Sequence, residues 1–224
     1  MTDTIHRALL FVNGEFPAPA KVIAQIRPED VLIAVDGGLR HLTAHKLTPH
    51  LIIGDLDSAD PDAVQRLQAQ GVVVRQYPVD KDETDLELAL NAALEMQSDQ
   101  IWVVAALGDR IDQTLGNIFL LTSPMLANTD VRLVDGLREV FLIRDANTIR
   151  GKAGQRVSML PLNGPVHGIQ TAGLAFPLQG ETLYPERTRG ISNRLTAPCA
   201  HVSIETGLLL CIHQFSESSE RSDG

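Results

Sequence analysis

The chain has 224 residues, 44% of them apolar, enough for one large domain or two modest ones around ordinary cores. Its 19 basic residues stand against 28 acidic ones, a formal charge of −9, which argues against a nucleic-acid surface held by phosphate contacts. Any polyphosphate bound here needs metal ions to bridge its oxygens, which favours carboxylate clusters over Lys/Arg clusters.

At the start, Met1 to Arg7 is polar and leads into Ala8-Leu9-Leu10-Phe11-Val12, too short an apolar run for a membrane span and without a signal-peptide layout. No membrane association is expected. The only two cysteines, Cys199 and Cys211, lie in apolar strand-like runs and read as reduced and buried, which points to the cytoplasm.

Six short β-rich runs follow one another in the first part: Ala8–Val12, Val31–Val35, Leu51–Ile53, Val72–Val74, Ile101–Ala106 and Val131–Val134. All read as buried strands. Helices are expected between them. Asp62 to Gln70 follows Pro61 and stops at Gly71. Asp85 to Met96 carries an apolar stripe of Leu86, Leu90, Ala93 and Leu94, with Thr84 and Glu87 spaced as a capping box. Gln113 to Thr122 is expected to be capped by Asp112 and stopped by Pro124. Strands alternating with helices imply an α/β domain with a mainly parallel sheet covered on both faces.

From about Arg138 no long helical stripe survives, and short runs such as Arg156–Leu160, His201–Glu205 and Leu208–His213 are separated by Gly, Pro and Asn. This reads as an all-β, sandwich-like domain. The Asp135-Gly136 turn sets the expected division: residues 1–136, then 137–215, then a disordered tail at 216–224 that lacks any hydrophobe.

Ligands of open parallel sheets bind outside the carboxyl ends of the strands. Four such ends carry acidic motifs: Asp36-Gly37-Gly38, Gly54-Asp55-Leu56-Asp57-Ser58, Asp80-Lys81-Asp82-Glu83-Thr84-Asp85 and Gly108-Asp109-Arg110-Ile111-Asp112. In an extended segment Asp55 and Asp57 point the same way while Leu56 turns to the core. Asp82 and Asp85 are spaced to share one side of a first helical turn. Any one of these aspartates alone reads as a cap or turn residue; their recurrence along one edge carries the argument for Mg²⁺ ions holding a polyphosphate. A Ca²⁺ loop, a P-loop, a Gly-x-Ser-x-Gly elbow and a zinc-type Cys/His array are all missing from the sequence. His41 and His45, four apart, read as surface residues.

Together with Gly108-x-Arg110-x-Asp112-Gln113-x-Leu115-x-Asn117, these motifs resemble, in order and spacing, the signature of the thiamin pyrophosphokinase family. The later motifs Thr171-Ala172-Gly173-Leu174, Arg189-Gly190-Ile191-Ser192-Asn193 and Gly207-Leu208-Leu209-Leu210 are similar to that family's thiamin-binding β domain, so the likeness spans nearly the whole chain. It implies an ATP-binding α/β domain, a thiamin-binding β-sandwich, and a homodimer with active sites between subunits. The implied reaction is ATP plus thiamin giving thiamin diphosphate and AMP.

By the same resemblance Asp55, Asp57 and Asp85 are the leading Mg²⁺ and catalytic positions, with Asp82 as a further ligand. Asp36, Gly37, Lys81, Asp82 and Thr84 would serve the phosphates or substrate, and Arg110, Asp112, Gln113 and Asn117 the nucleotide or the dimer-facing wall. Ser192 and Asn193 would meet the aminopyrimidine of thiamin. Gln113 stands where many members carry His, and the sole Trp, Trp102, falls in a strand, so no indole from the second domain can stack on thiamin. Phe176 and Tyr184 are alternatives, although Phe176 reads more naturally as core packing. Rival expectations are diphosphate transfer to another heterocyclic alcohol, such as a hydroxymethylpterin, and a non-catalytic thiamin or nucleotide sensor.

Overall fold

The structure is a computed structural model, and it describes residues 6–108 and 110–217. The chain divides into two compact units, Met1–Gly136 and Leu137–Gly224.

The first unit is built on strands β1 (Arg7–Phe11), β2 (Val31–Val35), β3 (Leu51–Gly54), β4 (Val73–Gln76), β5 (Gln100–Val104) and β6 (Asp130–Val134). Their order is β4-β3-β2-β1-β5-β6 and every neighbouring pair is parallel. β1 is fully buried and hydrogen-bonded on both sides, which suits its unbroken apolar run. β4 departs from expectation: it starts after Val72, lies at the sheet edge and leaves Val73 55% exposed. A strand with one neighbour has less apolar cover, and the pair between Arg75 and Glu95, 2.8 Å apart, borders it with charge.

Helices α1 (Pro19–Ile23), α2 (Leu39–Ala44), α3 (Pro61–Ala69), α4 (Asp85–Glu95) and α5 (Ile111–Leu120) connect the strands. The Asp60 carboxylate caps α3 through Asp62 N at 3.1 Å, and Thr84 Oγ1 caps α4 through Glu87 N at 3.2 Å. α4 buries Leu86, Leu90 and Ala93 of the expected stripe, together with Ala89 and Ala92, while Leu94 is only half-buried. α5 begins earlier than expected: Arg110 is the capping position without a side-chain cap, and Asp112 lies inside the first turn. There the Asp112 carboxylate takes the Arg110 guanidinium at 2.6 Å, which diverts it from the cap. α1 and α2 are short helices that their sequences do not announce.

The second unit is antiparallel. It contains β7 (Arg138–Ile143), β8 (Ala146–Arg150), β9 (Gln155–Ala172), β10 (Gln179–Leu183), β11 (Asn193–Arg194), β12 (Cys199–Ser203) and β13 (Thr206–Glu217). β9 carries the unit: its first part pairs with β13 and β11, its second with β12 and β10. The two strand groups share one core that includes Phe141, Ile149, Met159, Ile169, Leu183 and Val202. β13 runs to Glu217, two residues into the segment expected as tail; the remainder of that tail lies outside the described residues. Phe176 is 57% exposed, so the core-packing expectation fails, because the loop that carries it leaves the sheet before β10. Cys199 and Cys211 are both free thiols, Cys211 buried and Cys199 half-buried.

One buried ion pair pins β1 to the start of β2. The Arg7 guanidinium meets the Asp30 carboxylate at 2.5 Å, both side chains almost inaccessible, and also bonds Gln25 O and stacks 4.3 Å over Trp102. Removing one partner leaves the other buried and uncompensated. Asp30→Ala is therefore expected to lower the free energy of unfolding by roughly 3–5 kcal/mol, as read by urea denaturation followed by circular dichroism; a loss below ~1 kcal/mol would contradict the pairing.

Candidate active site

The winding reverses at β1, whose neighbours are β2 on one side and β5 on the other, and the crevice at such a switch point is the natural ligand position. A cleft of about 760 Å³ lies there. Its walls are Val12, Asn13 and Gly14 after β1, Asp36 after β2, Asp57 and Ser58 after β3, Thr84 and Asp85 at α4, the stretch from Ala105 to Gly108 after β5, and residues from Arg110 to Leu120 along α5. A cavity of this size suits a nucleotide-sized ligand. A second concavity of about 800 Å³ lies on the C-terminal unit along β8, β9 and β12; it has no acidic residue in its lining, so carboxylate chemistry belongs to the first.

Three carboxylates converge at the cleft. Oxygens of Asp36, Asp55 and Asp57 all lie within 4.8 Å of one another. The turn that brings them together is tight: Ser58 N donates to Asp36 Oδ1 at 3.2 Å, Asp57 N to Asp55 Oδ1 at 3.1 Å, and Ser58 Oγ to Asp57 Oδ1 at 2.9 Å. The Asp55-Leu56-Asp57 segment is not extended as its alternation suggested, because Leu56 sits at φ 65°. The carboxylates meet through a turn, with Leu56 still packed on the core. Asp36 (φ 46°) and Ala105 (φ 60°) share the left-handed backbone, so the ends of β2, β3 and β5 each carry a strained residue beside the cleft. Such strain costs about 1–3 kcal/mol per residue and collects at functional sites.

Asp85 and Lys81 complete the acidic wall. The Lys81 ammonium is 2.9 Å from Asp85 Oδ1 and 4.0 Å from Asp55 Oδ2. The Asp85 contact is an ion pair without hydrogen-bond alignment, since Asp85 Oδ1 is buried with no hydrogen-bond partner. Burial pulls the Lys81 pKa down, but the Asp85 contact and the charges of Asp85, Asp55 and Asp36 outweigh it, and the pKa is raised. Lys81 is therefore a fixed cation among carboxylates at neutral pH.

The other expected residues divide. Gly37 is buried where a β-carbon would come within 2.5 Å of the Asn13 amide, so the Asp36-Gly37-Gly38 turn can sit directly against the β1 loop. Thr84 and Gln113 line the cleft, and Asn117 Nδ2 donates to Ala106 O at 2.8 Å, tying α5 to the end of β5. Arg110 and Asp112 form an exposed pair at the rim, whose guanidinium contact holds the Asp112 pKa below the ordinary carboxylate value. Asp82 is exposed and stands outside the three-carboxylate group. Asp109 lies outside the described residues. In the second unit Ser192 is exposed at φ 62°, whereas the Asn193 amide is buried and engaged with the backbone of Phe176 and Arg194. Asn193 shapes the loop; its side chain is not presented to a ligand.

Asp36 joins the metal-type cluster, whereas its motif suggested substrate contact alone. The Asn13–Gly14 wall went unnoticed because only strand order reveals that β1 is central. His41 is likewise more than a surface residue. Its Nε2 lies 3.0 Å from Gly14 O, and a carbonyl can only accept, so Nε2 carries the proton. Burial first, then the neighbouring Arg40 and His45 charges, hold its pKa below the usual value against the opposing Gly14 bond.

Three hard oxygen donors on two neighbouring loops, Asp36 after β2 and Asp55 and Asp57 after β3, fit Mg²⁺, whose octahedral ligands lie about 2.9–4.2 Å apart around the ion. The three carboxylates already lie within 4.8 Å of one another, close to that spacing. Gly54 makes this possible: at φ 144°, a β-carbon there would lie 3.1 Å from Asp36 Cβ and 3.2 Å from Asp85 Cγ. Gly54→Ala is expected to weaken Mg²⁺ or Mn²⁺ binding about tenfold or more by calorimetry while leaving the far-ultraviolet spectrum unchanged; unaltered affinity would contradict the site.

Comparison with known proteins agrees with this layout. The family profile described as thiamin pyrophosphokinase, catalytic domain, matches residues 24–134, and that described as thiamin pyrophosphokinase, vitamin B1 binding domain, matches residues 146–209. A thiamine pyrophosphokinase of Bacillus subtilis (strain 168) is 30% identical over 182 residues, covering 80% of this chain and 85% of the relative. A crystal structure of thiamine pyrophosphokinase from Bacillus subtilis superposes with a TM-score of 0.84 at 27% identity, covering 94% of this chain and 99% of the other. Yeast thiamin pyrophosphokinase shares the fold, with a TM-score of 0.78 at 17% identity over 96% of this chain and 88% of the other. With both profiles in order on the two units and the acidic cleft within the first, the chain belongs to the thiamin pyrophosphokinase family.

Proposed function

We propose that this protein transfers the diphosphate of ATP to the hydroxyl of thiamin, giving thiamin diphosphate and AMP, with Mg²⁺ as the required ion. The observation that carries the reading is the convergence of Asp36, Asp55 and Asp57 within 4.8 Å on a cleft that Asp85 also lines. Transfer at a phosphorus centre needs charge neutralisation and in-line placement more than covalent help. Mg²⁺ held by Asp36, Asp55 and Asp57 would supply that neutralisation on the phosphate oxygens and on the departing AMP.

The chain's own residues do the rest. Lys81, held among the carboxylates, meets the phosphates as a point charge. Thr84 Oγ1 accepts from Glu87 N and keeps its own proton to donate to a phosphate oxygen. Arg110 and Gln113 face the nucleotide from α5, and Asn117 holds that helix in place. Asp85 accepts the proton of the attacking hydroxyl, since no histidine lines the cleft and the His41 imidazole is turned to Gly14 O. Asp82, exposed beside Lys81, would be a further carboxylate for the ion. Ser192 meets thiamin on the second unit, with exposed Phe176 and Tyr184 available to stack.

The proposal includes a homodimer. Ile111, Leu115 and Phe119 are 71%, 47% and 50% exposed, one apolar stripe along α5 on the side away from its cleft-lining residues. A bare stripe of that kind asks for a partner. The reading also places the chain in the cytoplasm, supported by two free thiols; no helix among the described residues is long and apolar enough to cross a membrane.

Purified protein with ATP and Mg²⁺ is expected to release AMP and form thiamin diphosphate in equal amounts when thiamin is supplied, and to stop when the metal is chelated. AMP formed with a hydroxymethylpterin alone would favour the rival acceptor, and none with either would favour a sensor. Asp55→Asn and Asp85→Asn should each lower kcat about 100-fold or more; turnover within a few-fold of wild type for Asp85→Asn removes it from both base and ligand roles. Light scattering should give the wild type twice the chain mass, and Leu115→Glu/Phe119→Glu the mass of one chain. A monomeric wild type would overturn the dimer.

A further inference from the structure

Two side chains from α2 grip the loop that forms the β1 wall of the cleft. Arg40 Nη2 donates to Asn13 O at 2.9 Å and to Gly14 O at 3.0 Å, and His41 Nε2 lies 3.0 Å from the same Gly14 O. Gly14 N in turn donates to Ala105 O at 3.0 Å, so the loop is fastened to α2 on one side and to the end of β5 on the other. Phe16 supports the grip from below: its ring meets His41 edge-on at 5.5 Å, His45 at 6.5 Å and Phe11 at 6.3 Å. The gripped loop bears directly on the acidic turn, because the Asn13 amide fills the space a side chain at Gly37 would need.

We infer that Arg40 and His41 are positioning residues that hold the Asn13–Gly14 wall for the nucleotide; the inference rests on the reading that this cleft binds ATP. A trans peptide sends its N–H opposite to its C=O. Holding Gly14 O against α2 therefore turns the Glu15 N–H the other way, where Glu15 N stands 3.5 Å from the position a Gly108 β-carbon would take. Gly108 lines the cleft, so the clamp presents backbone N–H on the side where a nucleotide's oxygens or ring nitrogens lie. Neither side chain lines the cleft. Their effect falls on nucleotide binding and leaves the chemical step alone.

The test compares wild type with Arg40→Met, His41→Ala and the double variant. ATP KM is expected to rise about tenfold in the double variant, with thiamin KM and saturating kcat within about threefold of wild type, the pattern of lost uniform binding. Affinity for a non-hydrolysable ATP analogue, measured by calorimetry without turnover, should fall by the same factor. His41→Gln, which can still donate to Gly14 O, should return the analogue affinity to within about threefold of wild type. If Arg40→Met does not fold, Arg40→Lys keeps the charge but reaches one carbonyl only, and an intermediate affinity is expected. Unchanged ATP KM and analogue affinity in a folded double variant would overturn the clamp, as would a loss confined to kcat. A wild type that binds the analogue but makes no AMP with thiamin defeats the functional reading alone, and the calorimetric series then decides the clamp by itself. A wild type that binds no analogue overturns both.

Discussion

The parallel pairing of β1 with both β2 and β5 is the constraint on which the site depends. Because all six strands of that sheet run the same way, their carboxyl ends share one edge, and the polar residues that follow each apolar run are delivered there together. The price is electrostatic. Two carboxylates within 4.8 Å of each other repel by about 3 kcal/mol or more at an effective dielectric near 20, somewhat less at the exposed Asp57. Lys81 offsets part of this, with its ammonium 2.9 Å from Asp85 Oδ1 and 4.0 Å from Asp55 Oδ2. A divalent cation is the natural complement of what remains, and this ties the fold to phosphoryl chemistry without any P-loop.

Much of this was legible in the sequence. Strand and helix periods gave the α/β class, the stripe of α4 and the cap at Thr84, since local pattern and tertiary burial agree there. Asp55, Asp57 and Asp85 were legible as a set because their motifs follow apolar runs. Asp36 was only half legible: its motif marks a ligand-facing turn, but nothing in the local sequence says that β2 and β3 are neighbours, so its distance to Asp55 had to come from the sheet. The Asn13–Gly14 wall was invisible for the same reason. Its significance follows from β1 lying at the switch point, a property of strand order alone.

Elsewhere the signals misled for physical reasons. Pro161, Asn163 and Gly164 look like the punctuation of separate short strands, yet β9 runs through them. Asn163 at φ 60° and Gly164 at φ 131° bend the strand, passing it from one group of partners to the other, so these residues mark a bend and not an end. Asp112 has the composition of a helix cap, but a guanidinium two residues away competes for the carboxylate. Asn193 carries a polar side chain at a position implied to contact thiamin, and the fold uses it to secure the Phe176 loop. In each case a residue's type was read correctly while its partner, set by the fold, decided its role.

The central claim is that Asp36, Asp55 and Asp57 act as one cation site presenting a polyphosphate to the cleft. Mn²⁺ bound in the presence of a non-hydrolysable ATP analogue, followed by electron paramagnetic resonance, tests this most directly. The account predicts that wild type takes up Mn²⁺ with the nucleotide and that Asp36→Asn and Asp55→Asn each lose that signal at the same concentrations while remaining folded. Equal Mn²⁺ uptake by wild type and both variants would contradict it.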